Sequence, residues 1–280
     1  METTKRRCTV INKKSTVGLI GGGQMAEALI KGVLQADLFS SEQLTVLDPS
    51  VERKEHLGAT YNIGTADTSE ELAAKCRVLL LAVKPQIYHQ VLSRYAACFT
   101  PRHLLISIMA GIPLSSLEKC LPEESRIIRV MPNTPCLVMA GASAFSSNMH
   151  VQDDDKELCR RIFSAVGYCL EVSESQLDAV TGLSGSGPGY VFSLMDGFID
   201  GGVLAGLSRP VAQQLVLHTF YGAAKLALES GATPADLKAQ VTSPGGTTIR
   251  GIQVLEQHGV RAACMESVLA AADRSKELGA

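Results

Sequence analysis

The stretch Val17-Gly18-Leu19-Ile20-Gly21-Gly22-Gly23-Gln24-Met25-Ala26 constrains the fold more than any other part of the chain. A short apolar run enters Gly21-x-Gly23-x-x-Ala26, and the helical pattern Ala26, Ala28, Leu29, Ile30, Val33 begins at once. Each small residue has a physical task in a strand–turn–helix unit. Gly21 permits the tight turn, Gly23 lets a pyrophosphate approach the backbone, and Ala26 keeps the helix close to its strand. The unbonded N–H groups at the helix start then hold the phosphates. A second apolar strand ends in Asp48, 22 residues beyond Ala26, where such a unit places the acidic residue that meets a ribose. Alone the glycine pattern fits any tight turn; with Asp48 it reads as a dinucleotide site.

Beyond Asp48, apolar runs alternate with helical patterns. Residues 52–57 read as a short helix, and Ser69-Glu70-Glu71 as a further helix start with Ser69 as N-cap. Residues 78–83 are continuously apolar but too short for a buried helix; such a run suits a strand covered on both faces, and Lys84-Pro85 ends it. A helical stretch 87–97, a strand 104–108, the pair Ala110-Gly111 and a helix near 114–120 follow. A strand 127–131 then runs into Pro132-Asn133-Thr134-Pro135, and 142–145 and 168–172 read as the last strands, separated by a helix from Asp153. The alternation predicts an α/β fold, a doubly wound parallel sheet over residues 16–172, with ligands bound beyond the carboxyl ends of its strands.

From Ser173 the strand-like runs stop. Helices are expected over 177–207, with Pro188 kinking or starting the long one, and over 209–229, 234–240, 248–257 and 261–278. Residues 173–280 therefore read as an all-α domain. Its apolar faces have little to cover them, which predicts a homodimer built on these helices.

With 280 residues the chain has room for one large domain or two ordinary ones. A formal net charge of −2 gives no reason to expect a polyanion, so nucleic acid is excluded as a partner. No apolar run approaches the roughly 18 residues of a membrane span. Residues 1–15, with Lys5, Arg6, Arg7, Lys13 and Lys14, lack the apolar core of a signal peptide. They read as a disordered basic leader, with a short organelle presequence as the alternative. The eight cysteines are scattered without a C-x-x-C, which predicts reduced thiols in a reducing compartment, the cytoplasm first and the mitochondrion as alternative.

No metal is expected, since neither the cysteines nor the six histidines have ligand spacing. Asp153-Asp154-Asp155 opens a helix, where negative charge suits the dipole. Ser184 lacks the strand that leads into a nucleophile elbow and reads as helix packing. Lys84 reads as a solvated side chain at a strand end, and His218 and Cys264, on apolar helix faces, as core.

The second informative stretch is Ser243-Pro-Gly-Gly-Thr-Thr-Ile249, ahead of the periodic run Ile249, Ile252, Leu255. It is either an ordinary capped turn or a set of unhindered amides able to cradle a carboxylate. This loop, the Gly21–Gly23 turn, Ala82-Val-Lys-Pro85, Met131-Pro-Asn-Thr-Pro135 and Thr181-Gly-Leu-Ser-Gly-Ser-Gly-Pro188 together resemble Δ1-pyrroline-5-carboxylate reductases. The resemblance runs from about Val17 to Leu278. It implies a Rossmann domain joined to a helical dimerisation domain, with dimers able to assemble further. It also implies reduction of a small cyclic imine to L-proline, the last step of proline biosynthesis, with NADPH or NADH.

Carried over residue by residue, the resemblance implies cofactor contacts at Gly21, Gly23, Gln24, Met25 and Asp48. Further contacts, around adenine, ribose and nicotinamide, fall on Ser69, Ala82, Lys84, Pro85, Ala110 and Asn133. Substrate contacts fall on Ser243, Gly245, Gly246, Thr247 and Thr248, which would hold the carboxylate and the ring nitrogen. Glu174 matches a glutamate that approaches that nitrogen. Thr248 and Glu174 are thus the catalytic candidates: a hydroxyl bonding the nitrogen, and a carboxylate favouring the iminium.

Two departures stand out. Gly231-Ala-Thr-Pro234 occupies the place of a Gly-Glu-His-Pro common in the family, leaving the start of that small helix open. Asp48 would bond the ribose diol of NADH and repel a 2′-phosphate, while Arg53 and Lys54, a few residues on, are able to attract one. The pattern leaves the choice between NADPH and NADH open, with a slight lean toward tolerance of NADH. A β-hydroxyacid-type dehydrogenase would need a lysine on the first helix of the second domain, and none occurs between Lys156 and Lys225. The intact 243–248 loop speaks against a catalytically silent dinucleotide sensor.

Overall fold

The structure is a computed structural model that describes residues 16–279; the basic leader lies outside them. Eight strands form one sheet: β1 (Val17–Ile20), β2 (Leu44–Leu47), β3 (Gly64–Thr65), β4 (Val78–Leu81), β5 (Leu104–Ser107), β6 (Arg126–Met131), β7 (Gly141–Ser147) and β8 (Gly167–Glu171). Their order is β3-β2-β1-β4-β5-β6-β7-β8. The first six strands reproduce the 3-2-1-4-5-6 order of a doubly wound dinucleotide fold, whose ligand crevice opens where β1 and β4 diverge.

The apolar runs explain the layers. In β4, Val78 and Leu80 enter one buried cluster, with Leu19, Leu29, Ile106 and Phe163. Leu79 and Leu81 enter a second, with Ile20, Leu72, Leu105 and Tyr95. A period of two with apolar residues at every position gives a strand buried on both faces. The helices that cover it are α1 (Gln24–Gln35), α2 (Val51–Tyr61), α3 (Ser69–Lys75), α4 (Tyr88–Ser93), α5 (Leu114–Glu118) and α6 (Asp153–Ser164). Ala26 and Leu29 of α1 are buried against the sheet.

Four details differ from the sequence reading. First, β7 pairs antiparallel with β6, so β7 and β8 run against the other strands. The β6–β7 connection holds only a short 3-10 segment, Thr134–Val138. A parallel crossover needs about a dozen residues or more, so the chain turns back instead. Second, the cap of α3 is Thr68, whose hydroxyl accepts the Glu71 N–H at 3.1 Å, while Ser69 is already helical. Third, the two-residue β3 is too short to leave a periodic signal. Fourth, the stretch expected as one helix over 87–97 is a 3-10 turn, Pro85–Ile87, followed by α4.

Two compact units result, and their boundary also differs from the expected one. Residues 173–185, comprising α7 (Leu177–Val180) and the π-turn Thr181–Gly185, belong with the sheet, as do the last turns of α12 (Val260–Gly279) from residue 271. The physical tie is a buried ion network. Arg129, 4 % exposed in β6, faces Asp178 at 3.4 Å and Glu174 at 3.6 Å. Asp178 in turn accepts the Ser275 hydroxyl at 2.7 Å.

The second unit, residues 186–270, contains α8 (Gly187–Leu204), α9 (Arg209–Ser230), α10 (Pro234–Gln240), α11 (Thr247–Gln257) and the beginning of α12. Pro188 stands in the first turn of α8, starting it rather than kinking it. Gly202 of α8 lets Ala212 of α9 approach, and Phe198 meets Phe220 edge-on at 5.7 Å. The uncertain start of α10 is secured by Thr233. Its hydroxyl accepts the Asp236 N–H at 3.2 Å, and its own N–H donates to the Asp236 carboxylate at 3.3 Å. Most apolar side chains here are uncovered within the chain, including Phe192, Phe198, Leu215, Tyr221, Leu228, Met265 and Leu269. His218 and Cys264, expected in a core, are exposed for the same reason.

Candidate cofactor crevice and substrate loop

The crevice is built from the turn after β1. Gly21 has φ +96, and a Cβ there would stand 2.6 Å from the Ala82 carbonyl oxygen. Only glycine lets the chain turn this close to the end of β4. Gly23 has ordinary extended φ, and a Cβ would meet nothing, so the space beside it is open. It N-caps α1 without a side-chain bond, and the first intrahelical bond runs from Glu27 N–H to the Gly23 carbonyl at 3.0 Å. The amides of Gln24, Met25 and Ala26 therefore lack intrahelical acceptors, the arrangement that holds phosphates. Gln24 is exposed; Met25 packs its stem against the core.

Asp48 closes β2 at the rim. Its Oδ2 accepts the Gly22 N–H at 2.7 Å and its Oδ1 the Ser50 N–H at 2.8 Å. Beside it opens a cavity of about 550 Å³, lined among others by Gly21, Asp48, Ser69, Glu70, Arg94 and Tyr95. The Tyr95 hydroxyl is buried without a hydrogen-bond partner, and burial pushes its pKa up. The open Gly23 backbone and the free amides at the start of α1 together fit a dinucleotide.

The remaining expected cofactor residues are spread along the carboxyl edge of the sheet. Ser69 is buried on the cavity wall, its hydroxyl donating to Glu70 at 3.2 Å. Ala82 follows β4 and donates its N–H to Ile20 at 2.8 Å. Lys84 is exposed and caps the turn that Pro85 begins. Ala110 precedes Gly111 after β5. Asn133 is engaged at both ends of its amide: Oδ1 accepts the Ala142 N–H at 2.9 Å, and Nδ2 donates to the Ser184 carbonyl at 3.0 Å.

Glu174, expected to approach the ring nitrogen, has its Oε1 engaged inside the first unit. It accepts the Leu114 N–H at 2.5 Å, beside the Arg129 guanidinium. The sequence reading passed over Arg129, although a charge inside Ile127-Ile128-Arg129-Val130 is itself a signal, because a buried cation requires a partner. Asp155 binds Arg126 through both oxygens, at 2.9 and 2.8 Å, and caps α6, as a helix-opening acid should. Among the described residues no group of three side chains could hold a metal ion.

In the second unit, Ser243–Gly246 forms the turn ahead of α11. Gly245 has φ +70, and the Gly246 N–H donates to the Ser243 carbonyl at 3.0 Å. Gly246 caps the helix without a side-chain bond, and no acidic residue stands in the first turn. Thr247 and Thr248 are exposed on that turn. The opening turn of α11 thus gathers free amides, the positive end of a helix dipole and two hydroxyls.

Comparison with known proteins adds independent findings. Residues 174–278 match the family profile "Pyrroline-5-carboxylate reductase dimerisation", and residues 16–111 match "NADP oxidoreductase coenzyme F420-dependent". The chain is 46 % identical over 263 residues to a pyrroline-5-carboxylate reductase of Synechocystis sp., covering 94 % of this chain and 98 % of that protein. It is 43 % identical to that of Methanosarcina acetivorans, covering 94 % and 97 %. Among solved structures, the Plasmodium falciparum pyrroline carboxylate reductase with NADP bound superposes with a TM-score of 0.86 at 35 % identity, over 96 % of this chain and 99 % of that one. The Coxiella burnetii pyrroline-5-carboxylate reductase gives 0.90 at 35 %, over 95 % and 99 %.

Proposed function

The chain belongs to the pyrroline-5-carboxylate reductase family, it reduces the C=N bond of Δ1-pyrroline-5-carboxylate to L-proline with NAD(P)H, and on that premise we propose which of its residues carry the reaction. The first unit is the dinucleotide-binding domain. It extends past residue 172 to Gly185 and takes back the end of α12. Gly21, Gly23, Gln24 and Met25 hold the pyrophosphate, and Asp48 and Ser69 the adenosine side. Ala82, Lys84, Pro85, Ala110 and Asn133 line the nicotinamide side. The second unit supplies the substrate loop, Ser243 and Gly245–Thr248, and the faces through which two copies pair.

When bound, the reduced nicotinamide supplies a hydride to the imine carbon. The chain's own part is to hold that carbon still. Amides of the opening turn of α11 donate to the substrate carboxylate, and the Thr248 hydroxyl accepts from the protonated ring nitrogen. A pyrroline imine is basic enough to arrive protonated, so no side chain is required as proton donor. Glu174 serves as a positioning residue: its carboxylate anchors the start of α5 and balances Arg129. Pairing of the second units into a homodimer is supported by their uncovered apolar faces and by the dimerisation profile over 174–278. Among the described residues no helix is long and apolar enough to cross a membrane, and the seven described cysteines are free, which suits a reducing, cytoplasmic address.

One observation carries the assignment of the substrate loop: α11 opens on a glycine N-cap that makes no side-chain bond, with two exposed threonines and no acid in its first turn. The test is NADH or NADPH oxidation on adding Δ1-pyrroline-5-carboxylate, comparing the wild type with Thr248→Ala. The variant should lose about ten- to a hundred-fold in kcat/KM, the worth of one hydrogen bond to a charged group, without losing all activity. Unchanged kinetics would remove Thr248 from the site.

A further inference from the structure

The residues around Asp48 carry an inference about which dinucleotide the crevice takes, and it rests on the assignment of that crevice to the cofactor. With one backbone donor on each oxygen, the Asp48 carboxylate is fixed at the rim and retains lone pairs for two more. A vicinal ribose diol offers two hydroxyl donors. A 2′-phosphate would instead bring roughly −1.5 to −2 charges against a fixed anion.

Such a phosphate needs a cation close by, and the two that follow β2 are already engaged. Arg53 Nε donates to the Gly22 carbonyl, and its terminal nitrogen pairs with Glu27. Glu27 is itself braced by the Tyr61 hydroxyl at 3.0 Å and by His56 at 3.4 Å. Burial works to raise the Glu27 carboxyl, but the bonds from Arg53, Tyr61 and His56 outweigh it and hold it below its ordinary value, so the pair with Arg53 stays charged at neutral pH. Lys54 pairs with Asp67, and only 13 % of its side chain is exposed. The other charges on the cavity wall are Asp67, Glu70 and Arg94, so acids outnumber bases there. Of the two cations that follow β2, Arg53 is turned toward α1 and Lys54 toward Asp67, which leaves Arg94 as the base on the wall against three acids.

We infer that the crevice selects NADH over NADPH, with Asp48 as the residue that discriminates and Glu27 as the residue that withholds Arg53 from a 2′-phosphate. Repulsion between a partly screened carboxylate and the phosphate should amount to at least a ten-fold difference in affinity. Because the rim is open to solvent, added salt should narrow that difference.

The experiment is an equilibrium titration of the whole protein with NADH and with NADPH, read by reduced-nicotinamide fluorescence at low and high salt, with no substrate present. The expected result is NADH binding at least ten-fold tighter, with a gap that shrinks as salt rises. Asp48→Ser should weaken NADH and strengthen NADPH. Glu27→Gln, which frees Arg53 and leaves Asp48 in place, should strengthen NADPH with little change for NADH. NADPH binding as tightly as NADH to the wild type would overturn the selectivity and leave the crevice assignment standing. Failure of both nucleotides to bind the folded protein would overturn the crevice assignment and the selectivity with it.

Discussion

Gly21 and Gly23 stand two residues apart, yet the structure assigns them different work, and alanine at each should separate the two. At Gly23 the backbone is extended, with φ −64 and ψ −179, and a Cβ meets nothing within 4 Å. Alanine there restricts the unfolded chain, worth about 0.4–1 kcal/mol of stability. It is also a poorer N-cap than glycine by about 0.5–1 kcal/mol. The two effects oppose, so the stability of the ligand-free protein should change by less than about 0.5 kcal/mol. Affinity should not escape in the same way. The added methyl occupies the approach of the pyrophosphate and displaces one charge-assisted bond from the helix amides, worth about 1.5–3 kcal/mol, or about ten- to a hundred-fold in Kd.

At Gly21 the order reverses. A positive φ costs an alanine about 1–3 kcal/mol, and the 2.6 Å approach to the Ala82 carbonyl oxygen adds an overpacking cost of similar size. Gly21→Ala should therefore destabilise the ligand-free protein by several kcal/mol. Urea unfolding without nucleotide, paired with nucleotide titration by fluorescence, measures both quantities. A Gly23→Ala protein that binds nucleotide like the wild type would refute the pyrophosphate approach. One that unfolds much more easily would show that the open space beside Gly23 is misplaced.

Further outcomes follow from named contacts. Asp178→Ala leaves the buried Arg129 with only the longer Glu174 contact and removes the acceptor of Ser275; it should cost about 3 kcal/mol in urea unfolding, and a loss below about 1 kcal/mol would mean that Arg129 is satisfied elsewhere. Thr233→Ala removes the cap of α10 and should cost about 1 kcal/mol, with faster amide exchange confined to residues 234–240. Burial pushes the thiols of Cys76 up to about 11 and of Cys169 up to about 12. Their folded values lie above the ordinary 9.0, so this contribution to stability is whole below about pH 9 and is lost as pH rises toward 11. Thermal unfolding across that range should show the decline, and iodoacetamide at neutral pH should leave the buried Cys76 and Cys169 unlabelled in the folded protein.

The sequence by itself determined what depends on neighbours along the chain. The Gly21–Ala26 turn, the apolar strand runs, the helix after the Ser243–Gly246 turn (expected from 248, observed from Thr247) and the helical character of the second half all rest on backbone geometry and periodicity, which act over a few residues. Tertiary structure alone decided where the charges go. Arg53 and Glu27 are 26 positions apart, Arg129 and Asp178 are 49 apart, and Ser275 reaches back 97 positions to Asp178. No local pattern announces such partners, because a buried or half-buried charge takes whichever opposite charge the folded layers bring within reach. The reversal of β7 had the same origin. The length of the β6–β7 connection was legible, but that it carries no crossover helix became clear only when the chain was seen to turn back beside β6. The glycine turn and Asp48 could thus be read from local spacing, whereas the engagement of Arg53 by Glu27 depends on the packing of α2 beside α1, which alone brings the two together.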